Sequence, residues 1–290
     1  MLGGFVRIGL IVLLSSLTFS YAAADLKQIK ESGAIRHLGV PYANFVTGDG
    51  GGLDVEIIKL YAKEIGVKYV YVPSSWATVI TDLSGKRVLP NGDDVDILGE
   101  SPVKGDIIGN GLTFLPWRAK VIDYSRSYFP TAIWVLTKAT SELRPIHPSG
   151  EIEKDVAATK ELLAGKEVMG IRNTCVDPAL YNIKDTKPLY KDNIGLNDLA
   201  AVVIQGDAPL CILDVPDALI ALGKFPGKVK VLGPVSRKQF MGFGISKDSP
   251  ELKASFDSFL SKLHQSGKLS ELIGKYYPLI NRYFSLTAQE

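Results

Sequence analysis

The chain predicts an α/β fold built as two units with a doubled connection between them. Three observations carry this. Over residues 34–83, strand-like and helix-like segments alternate, the order of a sheet with helices packed on its faces. Composition shifts across the polar, proline-containing stretch 139–152, and a second alternating unit follows. Two β-rich runs, 128–138 and 236–246, flank that second unit and can carry the chain into it and back. If the terminal helices return to the first unit, the second is an insertion. The two runs then form a hinge, with a cleft for a small ligand between the lobes.

The elements follow in order. A short helix over 26–33 ends at Gly33, and 34–40 reads as a strand through Ile35, Leu38 and Val40. Asp54 fits a helix N-cap, after which Ile57, Ile58, Tyr61, Ala62 and Ile65 recur at helical spacing until Gly66. Residues 67–73 alternate and are β-branched, and 76–83 read as a short helix. Gly50, Gly51 and Gly52 match neither a dinucleotide fingerprint nor a phosphate loop, so they serve a turn. An Asn91-Gly92 pair between 86–89 and 94–98 predicts a hairpin. Asp93, Asp94, Asp96, Glu100 and Asp106 lack the order of a calcium loop and read as a solvated segment. In the second unit, helices are expected over 156–163, 196–205 and 215–222, with strands over 166–171, 208–213 and 228–232. The chain closes with helices over 250–265 and 268–277, the first strongly amphipathic through Leu252, Phe256, Phe259, Leu260 and Leu263.

Composition narrows the function. The 290 residues are 46% hydrophobic and 22% charged with a net charge of +2, ordinary globular values with no electrostatic footprint for nucleic acid. The N-terminus reads as a signal peptide over 1–24. Arg7 precedes a mostly apolar run, 8–19, and Ala22, Ala23 and Ala24 offer small residues for cleavage near Ala24. The mature chain is therefore expected in the periplasm. Two cysteines, Cys175 and Cys211, could form one bridge in an oxidising compartment. The three histidines are scattered and suggest neither a metal site nor a catalytic group. No cofactor is indicated.

Residues 109–125, GNGLTFLPWRAKVIDYS, hold one arginine, Arg118, beside a tight glycine-containing backbone. A planar guanidinium in that setting suits a carboxylate, gripped bidentately while backbone N–H groups and the Thr113 hydroxyl satisfy its other lone pairs.

With Gly52-Leu53-Asp54-Val55-Glu56, Gly111-Leu112-Thr113 and the run from Arg118 to Ser125, the sequence resembles the extracellular solute-binding proteins of polar amino-acid ABC transporters. The closing segments Gly242-Phe243-Gly244-Ile245, Ser266-Gly267-Lys268-Leu269 and Tyr276-Tyr277 add to the likeness. The resemblance spans nearly the whole mature chain. It implies the type II periplasmic-binding-protein fold, with one lobe from 25–131 plus 239–290, the other from 132–238, and a two-strand hinge. It further implies a monomer that binds an amino acid or related small carboxylate and presents it to a transporter permease, without catalysis. By position, Arg118 would take the ligand carboxylate, with Gly111 and Thr113 donating to the same group and Thr174 completing that site from the second lobe. Asp214 would pair with the α-ammonium, and Tyr42 and Phe45 would form an aromatic wall. Three departures bear on the ligand: Asn173 stands where the family has glycine, Asn44 where it has proline, and 84–105 is longer than usual. The family's fold also resembles that of periplasmic cyclohexadienyl dehydratases. An enzyme would need a further acid or base, for which Glu100 and Lys104 are the candidates. A sensory or partner-docking module is the remaining alternative.

Overall fold

The computed structural model describes residues 23–284, so the expected signal peptide lies outside the described residues apart from Ala23 and Ala24. The first lobe opens with α1 (Leu26–Ser32), β1 (Ala34–Gly39), α2 (Leu53–Ile65), β2 (Lys68–Pro73) and α3 (Val79–Ser84). A hairpin, β3 (Lys86–Asn91) and β4 (Asp94–Glu100), precedes β5 (Ile107–Thr113), α4 (Pro116–Val121), β6 (Ile122–Tyr124) and β7 (Phe129–Thr131). The second lobe runs through β8 (Ile133–Lys138), α5 (Ile152–Leu163), β9 (Glu167–Met169), β10 (Lys187–Leu189), α6 (Leu199–Gln205), β11 (Leu210–Asp214), α7 (Val215–Lys224) and β12 (Val229–Pro234). The chain then returns through β13 (Gln239–Ser246), α8 (Pro250–Gln265) and α9 (Lys268–Tyr276).

One sheet has the order β2-β1-β5-β13-β6, with β7 also on β13; the other runs β10-β9-β11-β8-β12. Strands β1, β2 and β5 are parallel, while the returning β13 is antiparallel to β5, β6 and β7. The chain passes twice between the sheets, after Thr131 and after Pro234. The two passages are tied together where Val235 donates to the Ile133 carbonyl at 2.9 Å and the Ile133 N–H donates to Ser236 Oγ at 2.9 Å. This is the two-lobed α/β architecture that the sequence predicts. The loops that leave the C-terminal ends of β1, β5, β9 and β11 all face the junction of the lobes, where open α/β sheets place their ligands.

An aromatic cluster sets the first of these loops. Phe45 is fully buried, with ring centroids 5.1 Å from Phe129 and 5.0 Å from Tyr277. Asn44 explains the missing proline. Its backbone N–H donates to Tyr277 Oη at 2.9 Å and its side-chain amide to the Tyr276 carbonyl at 2.8 Å, and a proline has no N–H to give. The loop after β1 is thereby fastened to the end of α9.

Asp54 does not cap α2. Gly52 holds the N-cap position, and Asp54, in the first turn, turns inward and is fully buried. Its carboxylate accepts from the Gly111 N–H at 2.8 Å and from the Tyr128 hydroxyl, joining α2 to β5 and to the start of the first passage. Burial raises its pKa to about 7, against the opposing pull of those hydrogen bonds. The folded state thus holds this proton more tightly than the unfolded chain. The stability it contributes is complete below the unfolded value of 3.8 and is lost as pH rises through about 7. Buried His37 works in the opposite sense: desolvation lowers its pKa to about 4, so its contribution is lost as pH falls. Comparing wild type with Asp54→Asn isolates the carboxyl. Denaturant titrations from about pH 4 to 8 are expected to show wild type losing stability relative to Asp54→Asn, on the order of a few kcal/mol. Parallel curves would contradict a protonated buried Asp54.

Candidate ligand-binding cleft

Arg118 is positioned by α4, a helix of little more than one turn that starts on Pro116, the position where a missing N–H costs nothing. The residue is 3% exposed. Nη1 donates to the Thr113 carbonyl at 3.2 Å, and Nη2 reaches the Asn173 carbonyl of the second lobe at 3.4 Å. The guanidinium carbon lies 5.9 Å from the Trp76 ring centroid and 5.4 Å from that of Trp117. Nε has no hydrogen-bond partner, and Arg118 is in no ion pair among the described residues. A guanidinium carries five N–H groups. Two neutral carbonyls take one each, so Nε–H and further Nη hydrogens remain for a planar anion.

Asp214 ends β11 and is fully buried. It occupies the N-cap position of α7, but its side chain makes no capping bond. Oδ1 accepts from Thr131 at 3.0 Å, and Oδ2 accepts from Tyr42 at 3.1 Å and from the Cys175 thiol at 2.9 Å. Tyr42 and Thr131 come from the first lobe, so this carboxylate joins the two. Burial raises its pKa, opposed by the three donors and by the positive charge of Arg118. Oδ1 keeps one lone pair beyond Thr131.

The other expected residues divide. Tyr42 is buried where the lobes meet, its hydroxyl on Asp214, stacked on Phe45 at 5.9 Å and edge-on to Trp76 at 5.6 Å. Phe45 packs behind it and is fully buried. Thr113 Oγ1 lies beside the Cys175 thiol without a hydrogen-bond partner. Gly111 does not offer its N–H to the cleft, because that group is held by Asp54. Its glycine identity has another cause: φ is +58°, and a Cβ there would sit 2.5 Å from the Phe45 ring. Thr174 shapes its own loop, donating to the Ile171 carbonyl at 2.8 Å and accepting from the Val176 N–H at 3.2 Å.

Asn173 retains the geometry that glycine would give. Its φ is +61°, a region asparagine enters more readily than other side-chain-bearing residues, and its carbonyl is the one that meets Arg118. Sequence reasoning did not foresee Thr131, Cys175 as a donor, or Asn197, whose Oδ1 accepts the Ala43 N–H across the lobes at 2.9 Å. The asparagine at 173 carried a legible signal for left-handed backbone; the other three depend on tertiary placement. Neither enzymatic candidate joins the site: Lys104 is paired with Asp82 at 2.8 Å, and Glu100 is exposed at the base of the hairpin.

The bridge between Cys175 and Cys211 is not formed, and both thiols are free and buried. Strand parity gives the reason. Cys211 and Asp214 are three residues apart on β11, so they point to opposite faces, and Cys175 is on the Asp214 face.

A buried arginine with an unpartnered Nε and a buried carboxylate thus lie where the two lobes meet, an arrangement that fits a two-lobed solute-binding protein. The chain belongs to the bacterial extracellular solute-binding proteins, family 3, whose model matches residues 102–278. It is 24% identical over 260 residues to the L-cystine-binding protein TcyJ of Escherichia coli K12, covering 87% of this chain and 85% of that one. At the same identity it matches the membrane-bound lytic murein transglycosylase F of Vibrio cholerae, covering 87% of this chain but 46% of the relative. Among solved structures, a mutant of ArgBP from T. maritima aligns with a TM-score of 0.69 at 24% identity, covering 87% of this chain and 99% of that chain. An ancestral amino-acid-binding protein, AncCDT-1, described as a precursor of cyclohexadienyl dehydratase, gives 0.67 at 24% identity, with 87% and 98% covered.

Free thiols give a direct check on the site. Alkylation of the denatured, unreduced mature protein is expected to label both Cys175 and Cys211, read as two adducts by intact mass. An unlabelled protein that becomes reactive only after reduction would contradict the Cys175–Asp214 contact.

Proposed function

We propose that the protein captures an amino acid or a related small carboxylate between its lobes and presents the closed form to the permease of an ABC transporter. Arg118 takes the ligand carboxylate through Nε and an adjacent Nη, with Thr113 Oγ1 beside it. Asp214 meets the α-ammonium through Oδ1, and Tyr42 covers the ligand. The mature chain works outside the cytoplasmic membrane, exported by the segment 1–24, as a monomer. It binds without turnover, and the lobes close around the ligand by bending at the two passages.

One observation carries the reading: the buried Arg118 guanidinium meets only neutral partners. A buried cation without a direct ion-pair partner is unfavourable in a low-dielectric setting, and an incoming carboxylate relieves that cost with two charge-assisted hydrogen bonds. The binding relatives fit the same chemistry, since L-cystine, like any amino acid, carries α-carboxylates.

The test is a thermal-shift panel of amino acids and small carboxylates on the mature protein. At saturating concentration the wild type is expected to gain roughly 5 °C with its preferred ligand. Arg118→Met, which keeps the volume and removes the charge, is expected to remain folded and show no shift. Arg144→Ala, at an exposed arginine, serves as the control and retains it. An unchanged shift in Arg118→Met would remove Arg118 from the carboxylate site.

A further inference from the structure

The long segment between α3 and β5 folds as the β3–β4 hairpin, paired from Lys86 with Glu100 to Asn91 with Asp94 around Gly92-Asp93. Between the Arg87–Gly99 and Val88–Ile97 pairs the register shifts by one, which leaves Leu98 of β4 as the extra residue of a bulge. Val88 and Val95 pack against the core, and Lys120 of α4 pairs with Asp94 at 2.9 Å. The hairpin is thus laid along the same short helix that holds Arg118.

A cavity of about 310 Å³ opens where the hairpin meets the cleft. The first lobe contributes Trp76 and Trp117 to its lining, the hairpin Val88, Leu89 and Pro90, and the second lobe Ile171. Asn173, whose carbonyl accepts from Arg118, also lines it, and the two tryptophans are the ones that flank the guanidinium. A molecule held at Arg118 therefore has this cavity next to its anchored end. Its lining includes one charged residue, Arg172, whose guanidinium lies 3.7 Å from the Tyr190 ring centroid, and no carboxylate. The buried Trp76 Nε1 in the same wall has no hydrogen-bond partner. The tryptophan faces can attract a cation, but they already flank Arg118; with Arg172 also in the lining and no carboxylate, the chamber disfavours a second cationic group and favours an apolar or aromatic one.

We propose that the β3–β4 hairpin is a specificity element of this protein. With Trp76, Trp117 and Ile171 it forms a subsite for a bulky apolar or aromatic group on a ligand whose carboxylate is held by Arg118. The inference rests on the carboxylate-binding reading above. Leu89 is the residue on which it turns: it lines the cavity and is 51% exposed, so it is replaceable without opening the core.

Titration calorimetry of the mature protein with L-phenylalanine, L-leucine, L-arginine and L-glutamate tests this. In wild type, L-phenylalanine or L-leucine is expected to bind at least about tenfold more tightly than L-arginine or L-glutamate. Leu89→Glu is expected to weaken the apolar ligand by about tenfold or more and to narrow its advantage over L-arginine, with an apo melting curve like wild type. Leu89→Ser, a milder change, is expected to fall between them and supplies the comparison if the glutamate variant melts early. Preferred binding of L-arginine or L-glutamate by wild type would overturn the apolar subsite and leave the carboxylate reading standing. A preference for the apolar ligands that both Leu89 variants preserve would overturn the part given to the hairpin. Binding of none of the four, together with no response to any carboxylate in the thermal panel, would overturn both readings.

Discussion

The cleft depends on an arginine that the protein buries and does not neutralise. Arg118 is inside, its Nη groups meet two carbonyls, and its Nε meets nothing. Asp214 is also buried, yet three uncharged donors satisfy it, and it forms no ion pair with the arginine. Had the two charges met, their mutual attraction would have closed the cleft by itself and left little for a ligand to add. Held apart, each is left able, on the proposed reading, to meet the opposite end of a zwitterion, and a ligand that did so would relieve the cost of burying the unpaired guanidinium.

The junction between the lobes is made of polar contacts that serve the same two charges. Tyr42 and Thr131 reach Asp214 from the first lobe, Asn173 offers its carbonyl to Arg118 from the second, and Asn197 holds the Ala43 N–H. Ala43 itself is held at a φ of +46°, a strained value for a residue with a Cβ, in the loop that presents Tyr42. Behind that loop stand Phe45, Phe129 and Tyr277, so the end of α9 is part of the support for the loop that carries Tyr42. The two asparagines that break the family pattern fit this design. Asn44 gives the loop the N–H that proline lacks, and Asn173 takes up the left-handed backbone that glycine would supply.

Much of this was legible in the sequence, for physical reasons that also explain the rest. Strands β1 and β2, helix α8 and the hairpin announce themselves because periodicity and turn chemistry are local. Helix α4 was not foreseen, since six residues are too few to display a helical period. Arg118 stood out because its chemistry is unusual beside a tight backbone. The loss of the Gly111 N–H to Asp54 could not be read, because those groups lie 57 residues apart and meet only through packing. The Cys175–Cys211 expectation failed on a point that strand parity contains, once Cys211 and Asp214 are placed on one strand.

The central claim is that Arg118 binds a carboxylate. A crystal structure of the mature protein, grown with the compound giving the largest thermal shift, tests it most directly. The account predicts a carboxylate within about 3.2 Å of Arg118 Nε and one Nη, with the ligand's cationic group on Asp214. A ligand seated between the lobes whose carboxylate is held elsewhere, with Arg118 Nε still unpartnered, would contradict it.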